Sequence, residues 1–544
     1  MIDIRATLAK QIAFAAGVVL HLAVFRIGEW DMATTSLINT FALLPLVATA
    51  LLSRVFPDVY SSLLQTATAA ATLEGFLILG VYTSMMIYRG WFHRLRKFPG
   101  PFLARFSNLY ITALSAKNLH LYNEVQRLHQ KYGDFVRVGP SEISINDPGA
   151  LPLLQTNPTK GPWYNVLQPR ISLQVIRDKN EHLVRRKIWD RAFSAKALRD
   201  YEPRVIRHAN NLLEHLARTE GQPINVSDWF NFFSFDVMGD LAWGKSFNML
   251  RDGIKHYFMV VLHADMTNIG LFSHMLWLFP IFKATPILNA EHRRFWDWLK
   301  VQVSERRRKE PELPDVFSPL LEAHNAKAKP TAQEELDLEG DAYLIAVAGS
   351  DTVAASLGSL FFELACDQDS LKKLQGEVDE LFEAQEEVTI RSLANLPFLD
   401  AVINEALRLH PPVPSGVQRV IPSQGMHIGD TFIPADTLVQ VPTYTQLRDV
   451  RNFEKPDEFA PERWTTKPEM VKEAGVFMPF GTGRYMCIGK QLALMEIRWV
   501  TAQIVRRWDV AFAPDQGKEA FIEGQRDTFT LVLPTLNLIF TRRA

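Results

Sequence analysis

The chain has 544 residues, of which 59 are basic (Lys and Arg) and 60 are acidic, for a formal net charge of −1. This balance gives no electrostatic reason to expect a nucleic-acid partner or an acidic substrate. There are two cysteines, Cys366 and Cys487. So few cysteines exclude a disulfide framework, and we expect the main body of the chain to face a reducing compartment.

Three apolar runs occupy the start of the chain, at residues 12–25, 38–52 and 73–88. Each is close to or somewhat short of the roughly 20 residues that span a bilayer, and with their flanks two or three of them can cross it. We therefore predict a membrane anchor over residues 1–95. An amphipathic helix lying on the membrane surface is the alternative for the first run. Several runs in succession argue against a cleaved signal peptide.

A basic cluster follows the third run, and it consists of Arg89, His93, Arg94, Arg96 and Lys97. By the positive-inside tendency it marks the cytoplasmic side. Residues 98–101 then read Phe-Pro-Gly-Pro, and proline both ends a helix and restricts the residue before it. We therefore predict a second domain, residues 96–544, on the cytosolic side.

The second domain is predicted to be mainly α with small β-sheets. Helical apolar spacing recurs over residues 122–129, 205–216 and 370–382, and short β-like runs occupy residues 135–138, 142–145, 431–441 and 529–533. Because the helical segments are longer than the β-like ones, helices dominate the prediction.

One long apolar segment, residues 341–362, is predicted to be a helix although Ala348-Gly349-Ser350-Asp351-Thr352 interrupts it. Glycine lowers helix stability, and a buried acid beside a hydroxyl is costly without a partner. The Thr352 hydroxyl can donate to a carbonyl one turn back, and the missing side chain of Gly349 leaves room for a small ligand. The alternative is a kinked core helix with a solvated Asp351.

Glu405 and Arg408 lie three positions apart, so a helix places them on one face where they can pair. Such a pair says little by itself. Farther along, the run Pro461-Glu462-Arg463-Trp464 supplies a second arginine. A buried Glu405 held by Arg408 and Arg463 would form a satisfied network that fixes the loop before Cys487.

Cys487 lies in the run from Phe480 to Gly489, Phe-Gly-Thr-Gly-Arg-Tyr-Met-Cys-Ile-Gly, just before a helical stretch. The glycines allow backbone N–H groups to approach the sulfur, and the positive end of the helix favours a thiolate. Because neither cysteine has a Cys or His neighbour at zinc spacing, a lone thiolate suits haem iron better than zinc. A small buried apolar side chain is the usual alternative for a lone cysteine.

These motifs, in this order, resemble those of the cytochrome P450 superfamily, and the chain from about Arg96 onward is similar to a eukaryotic, fungal-type haem-thiolate monooxygenase. The resemblance implies the P450 fold preceded by an N-terminal transmembrane anchor. It implies that Cys487 is the axial ligand of haem iron and that Asp351 and Thr352 are the catalytic acid–alcohol pair. The implied cofactor-binding residues are Cys487, His182, Arg186, Arg419, Phe480 and Gly483, and the implied structural triad is Glu405, Arg408 and Arg463.

The thiolate loop departs from the family pattern at one position. The pattern has an arginine two residues before the cysteine, where it pairs with a haem propionate, whereas this chain has Tyr485 there and Arg484 one position earlier. Tyr485 can donate a hydrogen bond instead, which leaves the charge pairing to Arg186 and Arg419. Arg484 is the weaker candidate because its position can face a redox partner.

The resemblance implies a membrane-bound monooxygenase of fungal secondary metabolism that inserts one oxygen atom from O2 into a hydrophobic small molecule. Its cofactor would be haem b. Because the stretch after Gly489 is too short for a flavin domain, electrons would come from NADPH through a separate NADPH–cytochrome P450 reductase. The family also implies the endoplasmic reticulum membrane, with the catalytic domain facing the cytosol.

Two alternatives stay open. The first is a haem-thiolate isomerase or dehydratase that needs no external electrons, and the Asp351–Thr352 pair weighs against it. The second is a non-catalytic haem-binding protein. By the resemblance, the substrate pocket would be lined from several apolar and aromatic positions: Trp163, Tyr164, residues 228–235, residues 271–282, Tyr343, Ala346, residues 413–417 and residues 528–532.

Overall fold

The architecture comes from a computed structural model, which describes residues 2–156, 158–309 and 311–543. The outermost residues of the two predicted domains, 1 and 544, lie outside the described residues. The chain forms two units. The first contains residues 2–112, Arg137–Glu142 and Phe272–Ala290, and the second contains Ala113–Val136, Ile143–Leu271 and residues 291–543.

The described chain is mainly helical. Its α-helices are α1 Ile2–Leu20, α2 Thr34–Val55, α3 Leu63–Ile87, α4 Leu109–Ala116, α5 Leu121–Tyr132, α6 Ala150–Thr156, α7 Lys179–Ala192, α8 Ala195–Arg218, α9 Val226–Trp243, α10 Met249–Asp252, α11 Tyr257–Phe272, α12 Leu278–Ala284, α13 Ala290–Arg308, α14 Ser318–Asn325, α15 Ala332–Cys366, α16 Gln368–Ala384, α17 Ile390–Leu393, α18 Pro397–Leu409, α19 Thr443–Leu447, α20 Lys490–Arg507 and α21 Lys518–Gly524. The predicted helices at residues 122–129, 205–216, 341–362 and 370–382 are confirmed within α5, α8, α15 and α16.

The strands are short. They are β1 Phe135–Gly139, β2 Glu142–Ile145, β3 Thr159–Lys160, β4 Pro223–Asn225, β5 Arg419–Val420, β6 Met426–Ile428, β7 Thr431–Ile433, β8 Leu438–Gln440, β9 Trp508–Phe512, β10 Arg526–Thr528, β11 Thr530–Val532 and β12 Asn537–Arg542. In the second unit, β12 pairs antiparallel with both β4 and β9, and β5 pairs antiparallel with β3 and β8. The predicted fold class, mainly α with small sheets, is confirmed.

Two predicted strands are shorter in the structure than in the sequence interpretation. The run 431–441 is divided into β7 and β8, and Asp436 between them has a φ of 54°. The run 529–533 contributes only β11, because Phe529 has a φ of 80° and forms the turn from β10. A positive φ is incompatible with an extended strand. Backbone turns therefore end both strands, and the apolar pattern of the sequence does not reveal such turns.

Three helical stretches of the first unit are long and apolar enough to cross a membrane: Ala6–Phe25, Asp31–Val55 and Leu63–Phe92. They contain the three predicted apolar runs, and they leave most of their residues uncovered by protein. The helix α15 is similarly long and apolar, but 78% of its apolar window is buried. It is therefore a core helix, whereas the three N-terminal stretches suit a membrane anchor.

The helices α1 and α3 of the first unit pack through glycines. A Cβ added at Gly17 would lie 2.0 Å from the carbonyl oxygen of Leu77, and one added at Gly80 would lie 2.1 Å from that of Phe14. Small residues let helix backbones approach in this way within a bilayer. The ring of His21 also shares a 2.8 Å hydrogen bond with the Ser84 hydroxyl. Close backbone packing therefore joins these two helices, and His21, the residue that follows α1, adds a polar contact to α3.

The core of the second unit is built around α15. Thr331 caps its first turn in a capping box with Glu334, which satisfies otherwise free N–H groups. The helix then runs through the hydrophobic cluster, packed against α9, α18 and α20. Phe230, Phe233 and Phe235 of α9 are almost completely buried. This packing holds the interrupted segment of α15 in a fixed place.

Candidate active site

A cavity of about 410 Å³ lies in the second unit. Most of its lining side chains are apolar, from α9, α11, α15, α20 and the loops between α18 and α19. The polar exceptions include the thiol of Cys487, the hydroxyl of Thr352 and a group of basic side chains. An apolar cavity with a few convergent polar groups is the usual form of a small-molecule site.

The thiol loop takes its shape from two glycines. Gly481 and Gly483 have φ values of 66° and 67°, which other residues adopt only with strain. The turn they form returns the chain so that the Cys487 N–H donates to the Phe480 carbonyl at 2.8 Å. Gly489 then precedes α20, whose first residue is Lys490. The loop thus presents the Cys487 sulfur to the cavity.

The electrostatics at Cys487 differ in part from the sequence expectation. Burial raises the pKa of its thiol, whereas the N–H groups of Gly489 and Lys490 and the charge of Arg186 lower it. The lowering contributions are those expected from the loop, but burial outweighs them and the net pKa is raised. A positive ion bound at the sulfur would reverse this balance, because a coordinating thiol is deprotonated.

The interrupted segment of α15 turns its two polar side chains in different directions. Thr352 lines the cavity, and its hydroxyl donates to the Ala348 carbonyl at 2.8 Å, as predicted. Asp351 is only 4% exposed and accepts a 2.9 Å hydrogen bond from Nε2 of His263 on α11. The alternative of a solvated Asp351 is therefore wrong, because the carboxylate is buried and paired.

The Cβ direction of Gly349 is filled by protein, although Gly349 itself lines the cavity. A Cβ at this glycine would lie 2.5 Å from the sulfur of Met238 on α9. The Met238 side chain therefore takes the space on the Cβ side of Gly349, whereas Gly349 itself lines the cavity beside Ala348 and Thr352, where the sequence predicts room for a small ligand. The glycine serves close packing of α9 against α15 at the cavity wall.

A cluster of basic side chains lies at the Tyr485 side of the cavity. The Tyr485 ring has the Lys160 ammonium 4.7 Å and the Arg419 guanidinium carbon 5.0 Å from its centroid, and the His182 ring packs edge-on at 4.8 Å. Arg186 donates to the Met486 carbonyl at 2.7 Å and pairs with Asp190 at 2.8 Å. Among the described residues, Lys160 and Arg419 have no acidic partner.

This concentration of positive charge perturbs the groups within it. Burial, followed by the charges of Arg419 and Arg186, lowers the pKa of Lys160 to about 6. Burial and the charge of Lys160 lower the pKa of His182 to about 4. Buried cations without counter-ions are costly. The cluster is therefore suited to an anionic group.

Three buried atoms in this cluster lack a hydrogen-bond partner among the described residues: Nε of Arg419, Nδ1 of His182 and the hydroxyl of Tyr485. All three belong to side chains that line the cavity with Cys487. Carboxylate oxygens would accept from each of them. A flat apolar ligand with acidic substituents and a metal that accepts a thiolate fits these residues, and haem has all of these features.

The predicted triad is brought together by α18 and the loop at 461–464. Arg408 donates to both oxygens of Glu405 at 3.0 and 2.9 Å, and Arg463 donates to one of them at 2.8 Å. The Ala460 N–H and the Trp464 indole complete the set, each at 2.9 Å. All three charged side chains are fully buried. The network is thus fully satisfied.

Several predicted positions do not line the cavity. Phe480 lines the cavity. Gly483 does not line it, and its role is to form the backbone turn. Arg484 does not line the cavity, and it donates a hydrogen bond of 3.3 Å to the Lys179 carbonyl. Tyr485 lines the cavity. Of the expected pocket positions, Trp163, Tyr164, Tyr343, Val413, Gly416, Val417, Phe529 and Thr530 line it. Residues 228–235, residues 271–282 and Ala346 do not, and the phenylalanines among 228–235 pack in the core instead.

Sequence reasoning missed Lys160, Met238, Met266 and His263. Lys160 is 3% exposed in a two-residue strand, which gives no periodic signal. Met238 and Met266 lie on apolar helices where a cavity position looks the same as a core position. His263 becomes informative only beside Asp351, which is 88 residues away in the sequence.

Comparison with known proteins decides the family. Residues 99–541 match the family model described as Cytochrome P450. The chain belongs to the cytochrome P450 family. It is 48% identical over 533 residues to the P450 monooxygenase FCK2 of Fusarium pseudograminearum, covering 97% of each chain.

Other P450 relatives are also fungal. The chain is 46% identical over 479 residues to the monooxygenase orf5 of Eupenicillium brefeldianum, covering 88% of this chain and 97% of the relative. It is 34% identical over 535 residues to the tryprostatin B 6-hydroxylase of Aspergillus fumigatus, covering 97% and 95%. The chain is therefore an oxidoreductase of the P450 monooxygenase kind, and the P450 family implies haem iron as its cofactor.

Proposed function

We propose that this P450 is a membrane-bound haem-thiolate monooxygenase that inserts one oxygen atom from O2 into a hydrophobic small molecule of fungal secondary metabolism. The observation that carries the proposal is that the thiol of Cys487 lies in the wall of the same apolar cavity as Thr352. The relatives that share its length are P450 monooxygenases, and one of them is named as a hydroxylase of tryprostatin B.

In this proposal haem b is held by the thiol loop and by the basic side chains around Tyr485. Cys487 ligates the iron, and Phe480 and the turn at Gly483 shape the loop around it. His182, Arg186 and Arg419 take the propionates, with Tyr485 as a hydrogen-bond donor where the family has arginine. When bound, haem supplies the binding and reductive activation of O2, which thiolate ligation promotes.

The chain's own residues control substrate, water and protons. The apolar lining of the cavity favours a hydrophobic substrate and keeps bulk water from it. Thr352 holds its hydroxyl at the cavity surface through the Ala348 carbonyl, and in our proposal it orients water there. Asp351, adjacent but buried outside the lining, supplies the protons that O2 reduction requires. The triad of Glu405, Arg408 and Arg463 has a structural part only.

The remaining assignments concern location and electron supply. Residues 1–95 form the membrane anchor and residues 96–544 the catalytic domain, on the cytosolic side of the endoplasmic reticulum membrane. Support comes from the apolar stretches of the first unit and the basic cluster that follows them. Electrons come from NADPH through NADPH–cytochrome P450 reductase, a separate protein.

The test is the reduced CO-difference spectrum of the full-length protein in membranes, for wild type, Cys487→Ala and Cys366→Ala. Cys366 is the matched control, because it is the other cysteine and lies half-buried at the end of α15. We expect the thiolate-type band in wild type and Cys366→Ala and its loss in Cys487→Ala. A thiolate-type band in Cys487→Ala would refute the ligand assignment.

A second measurement addresses the reaction. Membranes with added reductase, NADPH and a hydrophobic extract are analysed by mass spectrometry for products containing oxygen from labelled O2. Labelled, NADPH-dependent products support the monooxygenase. Products that form without NADPH and without the label would instead support the isomerase or dehydratase alternative.

A further inference from the structure

The contact between His263 and Asp351 joins a buried acid to a partly exposed base. Nε2 of His263 donates to Oδ1 of Asp351 at 2.9 Å, and the two side chains are 27% and 4% exposed. Oδ2 of Asp351 is buried with no hydrogen-bond partner among the described residues. One oxygen of the acid therefore contacts a group that water reaches, and the other is free to make a further bond.

The surroundings of the pair leave Asp351 as the main charge that acts on His263. The His263 ring packs edge-on against Phe235 of α9, with the centroids 6.0 Å apart. The other charged groups that act on His263 are Asp228 on α9 and Lys255 before α11, and these pair with each other at 2.8 Å. Asp351 on α15 is therefore the dominant charge at His263, and the net result is a raised pKa for the imidazole despite its burial.

The position of the pair matches the need for protons in the cavity. Thr352, next to Asp351, lines the cavity, while neither Asp351 nor His263 is part of the described lining. The same helix that carries His263 also contributes Met266 and Ile269 to the lining. The pair thus lies behind the cavity wall, with His263 on the side that water reaches.

We infer that His263 is a positioning and proton-relay residue, which takes protons from solvent and passes them to Asp351 for use at the Thr352 side of the cavity. The inference rests on the proposed part of Asp351 in the monooxygenase reaction. It adds a named entry point for protons, and it assigns that task to histidine, the side chain whose unperturbed pKa lies closest to physiological pH.

The transfer balances in protons and electrons. Solvent protonates Nδ1 of the neutral imidazole, whose proton is on Nε2, and the resulting imidazolium gives its Nε2 proton to a carboxylate oxygen of Asp351. The remaining proton is then on Nδ1, and proton exchange with water restores the starting tautomer of His263. The Asp351 carboxyl then rotates and releases its proton toward the Thr352 hydroxyl. In each reaction cycle O2, two electrons from NADPH through the reductase and two protons are consumed. One oxygen atom enters the substrate and the other leaves as water.

The experiment uses two variants of His263 and one matched control. His263→Gln can still donate a hydrogen bond but cannot carry a proton. His263→Arg keeps the ion pair with Asp351 but does not release its proton near neutral pH. His292→Gln is the control, because His292 makes a similar contact with Asp265, at 3.0 Å, and is similarly exposed at 31%.

The measurement is NADPH-driven O2 consumption by the full-length protein with saturating reductase, in H2O and D2O, from about pH 6 to about pH 9. General acid–base groups contribute roughly 10²–10⁴-fold to rates, and for a relay one step removed we expect a fall of about tenfold in both His263 variants. Wild type should slow as the pH rises through the pKa of His263, and both variants should lose this dependence and show a larger solvent isotope effect. His292→Gln should behave as wild type.

The reduced CO band of each variant is recorded so that rates refer to intact protein. If His263→Arg matched wild type in rate, pH profile and isotope effect, the relay would be refuted and a purely structural ion pair would remain. Asp351→Asn separates this failure from that of the proposed function. A slow Asp351→Asn beside a normal His263→Arg refutes only the relay, whereas a normal Asp351→Asn refutes the part assigned to Asp351 itself.

Discussion

Replacement of Arg408 by alanine tests how much the stability of the second unit depends on the buried triad. Arg408 donates to both oxygens of Glu405 and to the carbonyls of Leu447, Pro456 and Glu458, at 2.8, 2.6 and 3.0 Å. Alanine removes all five hydrogen bonds and leaves three carbonyls without this donor. Glu405 keeps Arg463 as its only charged partner in the network.

The expected magnitude follows from complete burial. Removing one partner of a buried ion pair costs about 3–5 kcal/mol, and whole domains are stable by only about 5–15 kcal/mol. Arg408→Ala should therefore lose much of the free energy of unfolding and load haem poorly. The assays are urea unfolding followed by tryptophan fluorescence, and the reduced CO band per unit of protein.

Arg498→Ala is the matched control for this prediction. Arg498 makes a similar two-bond contact with Asp400, at 2.7 and 2.8 Å, but the side chains are 15% and 33% exposed. Exposed pairs contribute about 0–1 kcal/mol, and this half-buried pair keeps contact with water, so the variant should lose much less stability than Arg408→Ala and keep its CO band. Equal urea midpoints for the two variants would refute the argument that burial makes the triad indispensable.

Three further predictions concern the cavity wall, the thiol loop and the His263–Asp351 pair. Thr352→Ala should divert NADPH-derived electrons to hydrogen peroxide, since it removes the hydroxyl that we propose orients water in the cavity. Unchanged product per NADPH would contradict this. Gly483→Ala should destabilise the loop by about 1–2 kcal/mol because of its positive φ, whereas Gly475→Ala, where a Cβ meets open space, should be close to neutral in thermal unfolding and haem retention. The pKa of His263 is raised, so its pairing with Asp351 stabilises the fold fully below the ordinary imidazole pKa of 6.5. This stabilisation is lost as the pH rises through the pKa of His263 in the folded state. The free energy of unfolding lost in His263→Gln should therefore be larger at about pH 6 than at about pH 9.

Much of the fold was predictable because it depends on patterns that are local in the sequence. The three apolar N-terminal runs, the helix through Asp351 and the helix at residues 370–382 each have a periodicity or length that a single segment reveals. The strand ends at Asp436 and Phe529 were not predictable, because they depend on backbone turns at non-glycine residues with positive φ.

The candidate site was predictable where a motif carries its own geometry. The turn around Cys487 and the spacing of Glu405 and Arg408 are of this kind. The basic residue Lys160 and the relay residue His263 were missed because their meaning comes from contacts across the fold, with Tyr485 and Asp351 respectively. A neighbour far away in the sequence leaves no local signal.

The glycine contact between α1 and α3 has a practical consequence for work with shortened proteins. Deletion of residues 2–25, which contain α1 and His21, would leave an open space beside Gly80 of α3 and would remove the histidine partner of the Ser84 hydroxyl. In hydrocarbon an unpaired hydroxyl is costly, so it tends to hydrogen-bond to another polar group. The open space at Gly80 also allows a second copy of α3 to pack closely against the first. We therefore expect a protein that lacks only the first apolar helix to self-associate in detergent. A deletion that removes all three apolar helices together should self-associate less.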